Sequence, residues 1–340
     1  MRRHFRPWLW PAYRQLLLRS KLPIIVGPFR GEFGFETLYW LPFLAKLRAD
    51  GLDPARLFPI ARAGTGSLYE VPQGLELYAM RSVADLRIHN REQQARWGQF
   101  KQTHVTQWDR EVIRDAAQTL GLKRYLTLHP AWLYQLLTPF WQSHTGLAPL
   151  NQLLRFTALP VPSLPDGLHL PENFIAVKFY HRYTFPRGRQ VEQFVAESVK
   201  TIAKHHPVVY LDWDGNPDDH SDVRIPDLPN VTKLSALYPS LLPETSLSVQ
   251  SAIVGRAMGF VGTYGGFAHL ALMLQRPTIS YYWQWGAVVF AHRVLSEQLA
   301  LATNVPFHCL RVTDLLMLQE VMPRIAIQTQ SHEPSQLQTV

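Results

Sequence analysis

The chain has 340 residues, a formal net charge of +8, 46% hydrophobic and 18% charged side chains, and one cysteine. This excludes a disordered chain, and the length suits two domains or one large one. No apolar run approaches the roughly 18 residues that span a bilayer, and a single Cys309 excludes an intramolecular disulfide framework and a multi-cysteine zinc site. The excess of cations predicts anionic partners: nucleic acid, an anionic membrane face or phosphorylated small molecules.

The first segment, 1–21, crowds Arg2, Arg3, Arg6, Arg14, Arg19 and Lys21 among Phe5, Trp8, Trp10 and Tyr13. Interleaved cations and rings suit an anionic membrane surface, and they equally suit a basic amphipathic helix packed on the body. It lacks the uninterrupted apolar core and small-residue cleavage site of a secretory signal, so a cytoplasmic location is expected, with peripheral attachment to the inner face of the cytoplasmic membrane.

Apolar runs and breakers then predict a strand over 22–26, a Gly27-Pro28 break, a helix over 36–49 and a strand over 57–61 closed by the glycine loop at 63–67. Helices are predicted over 105–120 and 129–141. Proline concentrates over 158–171, where it cannot continue a helix or a central strand, so a linker is placed at 161–171. The alternation restarts with strands over 174–179, 208–211, 259–262 and 278–282 and helices over 190–205, 247–257 and 267–274. Strands alternating with helices through short loops predict α/β architecture: two Rossmann-like domains, 22–160 and 172–327, facing a cleft, with a disordered tail at 328–340.

The stretch from Ser246 to Tyr282 carries the most chemistry. Gly262, Gly265 and Gly266 let backbone N–H groups turn toward a ligand at the start of the next helix, where a diphosphate binds well; a tight strand-to-helix turn needs the same glycines. Thr263 and Tyr264 share that loop. His269, in the helix's first turn, can donate to a phosphate or a sugar hydroxyl, or serve as a buried structural histidine. This stretch resembles the donor site of GT-B glycosyltransferases, most closely the bacterial lipopolysaccharide heptosyltransferase family, through Val261-Gly262, Gly266, His269-Leu270-Ala271 and Pro277 in matching order. It departs where the family places Asp-Thr-Gly, here Tyr264-Gly265-Gly266, and the family's Asp helps to hold the donor sugar.

A second match lies in GPFRGEFGFETLYWLPFLAKLR, which looks like the family's first loop and helix. Gly31-Glu32 then takes the Gly-Asp place, and the resemblance implies that Glu32 removes the acceptor's hydroxyl proton. An alcohol is a poor nucleophile until its proton has somewhere to go. A carboxylate favoured by the helix dipole is the plainer reading of Glu32, and Glu36 is the second candidate for base. In the loop at FIAVKFYHRYTFPRGRQ, Phe185-Pro186 stands for the family's Trp-Pro pair and Tyr183 falls where its Lys would be. Arg182 is therefore the expected phosphate clamp, with Lys178 behind it; a solvated basic loop is the alternative.

Asp212-Trp213-Asp214 has the spacing of a divalent-metal pair, but Gly215-Asn216-Pro217 behind it reads as a turn, and no metal or other cofactor is expected. Trp132, Tyr134, Trp141, Trp283 and Trp285 are candidates to stack on sugar faces or to fill the core. No nucleic-acid motif is present, and no nucleic-acid partner is expected. The resemblance, spanning Ile24 to Leu316, implies an inverting, metal-independent glycosyltransferase of the hexosyl or heptosyl class. Its partners would be a nucleotide-diphosphate sugar and a glycan or glycolipid acceptor of the bacterial surface. A nucleotide-sugar epimerase of the same architecture and a non-catalytic carbohydrate- or membrane-binding protein are the alternatives.

Overall fold

The computed structural model describes residues 7–97, 102–142, 146–182, 184–213, 220–283 and 287–315. Asp214, Trp285, Tyr183, the cations before Pro7 and the tail at 328–340 lie outside them. In the first half, β1 (Ile24–Val26), β2 (Leu57–Ala61), β3 (Leu75–Glu76) and β4 (Leu126–Leu128) form a parallel sheet in the order β3-β2-β1-β4. In the second half come β5 (Ile175–Lys178), β6 (Tyr180–His181), β7 (Val208–Tyr210), β8 (Ser221–Asp222), β9 (Val231–Lys233), β10 (Gly259–Thr263), β11 (Thr278–Tyr282) and β12 (Phe307–Arg311). Six of these make a parallel sheet in the order β12-β11-β10-β5-β7-β9, and β6 pairs antiparallel with β8.

The chain is thus α/β with two Rossmann-like sheets, as the alternation predicts. Ile24, Ile25 and Val26 are all buried, the unbroken apolar pattern of a strand covered on both faces. Each sheet changes direction at an inner strand: β1 lies between β2 and β4, and β5 between β7 and β10. A crevice opens beyond the carboxyl ends of the strands at such a switch point. The loops that follow β1, β5 and β10 are the loops that carry Glu32, Arg182 and Gly265-Gly266.

After β1 the chain is helical from Phe33 onward, with a π-helical turn at Glu36–Trp40 before the α-helix Leu41–Ala49. Pro42 explains the wide turn. It has no N–H to give to the carbonyl four residues back, so the bonding shifts to a longer spacing there.

The helix Trp10–Arg19 packs on the first half by one face. Trp10 and Leu17 are buried, Trp10 lies 5.2 Å from Phe43 and 5.8 Å from Trp132 between ring centres, and Tyr13 stacks on Trp132 at 5.0 Å. The packed-helix expectation is therefore met on this face. No described helix is long and apolar enough to cross a membrane.

The halves share one continuous apolar core. Phe33 meets Phe267 with centres 5.4 Å apart, and the N–H groups of Leu247 and Ser248 both donate to the Ala63 carbonyl. Between the sheets the chain is fixed to each side in turn: Arg155 N–H donates to Pro42 O, and Leu159 N–H donates to Met273 O. The proline stretch then docks on the second half, where Arg256 donates to Pro162 O at 2.7 Å.

Candidate functional site

Glu32 is the extended residue that precedes the helical turn Phe33–Phe35, with φ −63° and ψ 142°. A network of buried polar groups holds the loop in front of it. Arg30 donates from Nε to Asp109 at 3.1 Å and from a terminal nitrogen to Asn90 at 3.0 Å. Gln102 accepts from Arg30 N–H and donates to Pro28 O, each at 2.9 Å. Asp109 also accepts the N–H and hydroxyl of Thr106, the N-cap of its own helix, at 2.7 and 2.8 Å. Burial pushes the Asp109 carboxyl up, but Arg30, His129 and the Thr106 hydrogen bonds outweigh it and hold the group well below the usual carboxylate range.

Across the interface, β5 and β6 bring Arg182 to the same place. Its guanidinium forms an ion pair with the Glu32 carboxylate, the two side chains being 19% and 28% exposed. Arg182 is itself fixed by reciprocal backbone hydrogen bonds with Phe185, both at 2.9 Å. The predicted base and the predicted phosphate clamp, 150 residues apart in sequence, therefore meet directly at the junction of the halves.

The glycine loop borders this pair. A Cβ on Gly265 would stand 2.0 Å from the Tyr180 hydroxyl, and one on Gly266 would stand 2.7 Å from the Gly34 nitrogen of the other half. The close approach of backbone to backbone is what requires glycine here. Gly262 has a similar duty further down, where a Cβ would fall 2.1 Å from Lys178 O.

His269 is buried against this contact. Burial lowers its pKa to about 3, with the Gly34 backbone pulling the other way, so the imidazole is neutral. It sits 5.5 Å from the Tyr264 ring, edge to face. Thr263 and Tyr264 turn inward and serve the scaffold. The Thr263 hydroxyl accepts Tyr180 N–H at 3.0 Å and donates to Tyr180 O at 3.2 Å, and the Tyr264 hydroxyl bonds that of Ser296 at 3.1 Å.

Two further expectations need correction. Lys178 does not reach a phosphate position: it is buried, donates to Leu211 O at 2.7 Å and Asp222 at 3.1 Å, and lies 5.1 Å above the Phe267 ring. A buried ammonium must be paired, and here its partners come from its own half. Glu36 does not face the cleft with Glu32. It is fully buried and accepts the hydroxyls of Thr65 at 2.9 Å and Tyr69 at 2.7 Å. Asp212 accepts the N–H and hydroxyl of Ser235, and among the described residues no cluster of acidic, histidine or cysteine side chains could hold a metal ion. Trp132 and Tyr134 are core residues, and Trp141 packs edge-on against Phe35 and Tyr39.

The site also contains residues that no motif marks. Arg62, one position beyond β2, is 1% exposed and donates to Gly31 O. His220 rings against Tyr180 at 4.9 Å, and its pKa is lowered to about 3 by burial and then by Arg182, Lys178 and Arg62. Three cations from both halves therefore act on one spot, and the histidine among them is neutral. Burial raises the Tyr180 hydroxyl pKa, with Glu32 adding to the effect, so it remains a hydrogen-bond donor. Such an assembly offers cationic donors for a polyanion beside one carboxylate able to take a proton.

No family model and no curated protein matches the chain. Among solved structures, it is similar to a family 9 glycosyl transferase from Veillonella parvula, at 11% identity and a TM-score of 0.46 over 90% of each chain. It is also similar to two E. coli proteins, the ADP-heptose lipopolysaccharide heptosyltransferase II and the heptosyltransferase WaaC with ADP. The first shows 13% identity and a TM-score of 0.43 over 83% of this chain and 99% of that one. The second shows 12% identity and a TM-score of 0.41 over 88% and 99%.

Proposed function

We propose that the chain transfers a sugar from a nucleotide-diphosphate donor to a hydroxyl of a bacterial surface glycan, lipid-linked or free, with inversion and without a metal. The observation that carries this reading is the meeting of Glu32 and Arg182 across the two halves, beside the Gly265-Gly266 turn. A diphosphate would take Arg182 and displace the Tyr180 hydroxyl from the Gly266 N–H, with Arg62 adding positive potential. Glu32, released from its ion pair, would accept the acceptor's proton as the oxygen attacks the anomeric carbon, while the bond to the diphosphate breaks and Arg182 meets the charge that leaves. His269 and His220, both neutral, add no charge to that balance.

The test is transfer from a panel of nucleotide sugars, beginning with ADP-heptose, after the E. coli ADP-heptose lipopolysaccharide heptosyltransferase II. Release of nucleotide that depends on a glycan acceptor and is lost in Glu32→Gln supports the reading. Conversion of the donor sugar without any acceptor would make the chain an epimerase. Absence of nucleotide binding in calorimetry with ADP, UDP and GDP would remove the proposal altogether.

A further inference from the structure

The docked helix at the amino terminus leaves one face uncovered. Of the eight large apolar side chains that stand exposed among the described residues, three fall together here: Trp8 at 68%, Leu9 at 38% and Leu16 at 47%. The other five are scattered along the rest of the chain. Leu9 and Leu16 are seven residues apart and share a helical face, rotated by one position from Trp10 and Leu17, which are buried. One side of the helix thus holds the body and the neighbouring side offers a tryptophan and two leucines to the surroundings.

Basic charge dominates around this face. Arg19 and Lys21 are exposed at the end of the helix, and Lys123 and Arg124 are exposed in the turn before β4. Leu126 N–H donates to Pro23 O, so this turn lies beside Lys21–Pro23. No Asp or Glu occurs before Glu32, and the sequence adds Arg2, Arg3 and Arg6 upstream. The neighbouring acids are engaged: Asp50 is held by Arg14 and Lys46, and Asp53 caps a 3₁₀ turn.

We infer that this face docks the protein on an anionic lipid bilayer, with Trp8, Leu9 and Leu16 entering the headgroup region and Arg19 and Lys21 meeting lipid phosphates. A second copy of the chain is the poorer occupant, because a two-fold dimer through this patch would set cations against cations. The leucines offer nothing for a nucleic acid to stack on or hydrogen-bond, whereas a bilayer satisfies both the apolar side chains and the charge. The inference does not rest on the proposed reaction.

Flotation of the full chain with vesicles tests it. The wild type should float with vesicles of phosphatidylcholine containing roughly one-third phosphatidylglycerol and stay behind with phosphatidylcholine alone, and high salt should weaken the binding. Trp8→Ser with Leu16→Gln should lower the partition at least about tenfold, as should Arg19→Gln with Lys21→Gln, at unchanged melting temperature. Equal binding to neutral vesicles, wild-type binding by both double variants, or no flotation at all would overturn the inference. So would light scattering that finds a dimer dissolved by the Trp8 and Leu16 changes.

Discussion

Replacing Glu32 by Gln should make the protein bind a nucleoside diphosphate more tightly while destroying turnover. On the proposed function, the Glu32 carboxylate pairs with the guanidinium that a diphosphate would need, so the ion pair would compete with the ligand. The pair is partly exposed, at 19% and 28% for the two side chains, so its worth is up to about 1 kcal/mol after screening. Removing the competitor should strengthen binding by at most about fivefold. Turnover should fall by about 10²- to 10⁴-fold, because the amide cannot take a proton at neutral pH. Calorimetry with ADP and UDP, beside initial rates at saturating donor and acceptor, separates the two effects. Weaker nucleotide binding in Glu32→Gln would show that the carboxylate contacts the donor and does not compete with it. A loss of turnover below tenfold would remove Glu32 as the base.

Arg182→Ala should weaken the same nucleotide by at least about tenfold in calorimetry, the loss expected when a charged hydrogen bond to phosphate goes. Asp109→Asn should cost about 3–5 kcal/mol in urea unfolding at pH 7, because it strands the buried Arg30. The Asp109 contribution is present above the unfolded carboxyl pKa and fades as the pH falls below about 4 toward its depressed folded value. His220 and His269 act in a different window, since both are neutral when folded with pKa values of about 3 and protonate near 6.5 when unfolded. Their stabilisation is complete above pH 6.5 and is lost as the pH drops toward 3, so unfolding at pH 5.5 should be easier than at pH 7.5 by about 3 kcal/mol for the two together. Trp10→Ala should cost about 3–5 kcal/mol, whereas Trp8→Ala should stay within about 0.5 kcal/mol, and equal effects would mean that the helix is not seated by one face.

The sequence made some elements plain for physical reasons. LFPIA and TISYY are short apolar runs closed by breakers, and β2 and β11 occupy the bounds predicted for them. β4, only three residues long, has no period to detect and exists because β1 offers it an edge. The helix Ala287–Thr303 begins with Ala-Val-Val-Phe, a run that reads equally well as strand. At the site, the Gly31-Glu32 and Gly265-Gly266 patterns lead to the interface because both are strand-end loops at switch points. Glu36 could not be placed by helical spacing from Glu32, since Glu32 is extended and the spacing of a helix does not yet apply to it. Lys178 shows the limit of a residue-type argument: position on β5 makes it look like a ligand, but only the fold reveals that Asp222 already takes its charge. Arg62 was within reach, since it follows the end of β2, and the rule that ligands gather at strand ends applies to it as well. Tyr180 and His220 are brought in by the small β6-β8 pairing, which leaves no periodic trace.

The two carbonyl anchors on the crossing segment leave a short stretch of chain untied between the halves. Arg155 is tied to the first half through Pro42 and Leu159 to the second through Met273, so only Phe156, Thr157 and Ala158 lie between the anchors on that strand of chain. A rigid-body rotation about this crossing must be absorbed by the torsions of those three residues, because the prolines after them travel with the second half. Thr157→Pro would stiffen this crossing without touching the site; on the proposed function, with the halves parting to admit a nucleotide, it would slow entry and exit while sparing the equilibrium affinity. Stopped-flow measurement of nucleotide association and dissociation would register both rates falling in parallel.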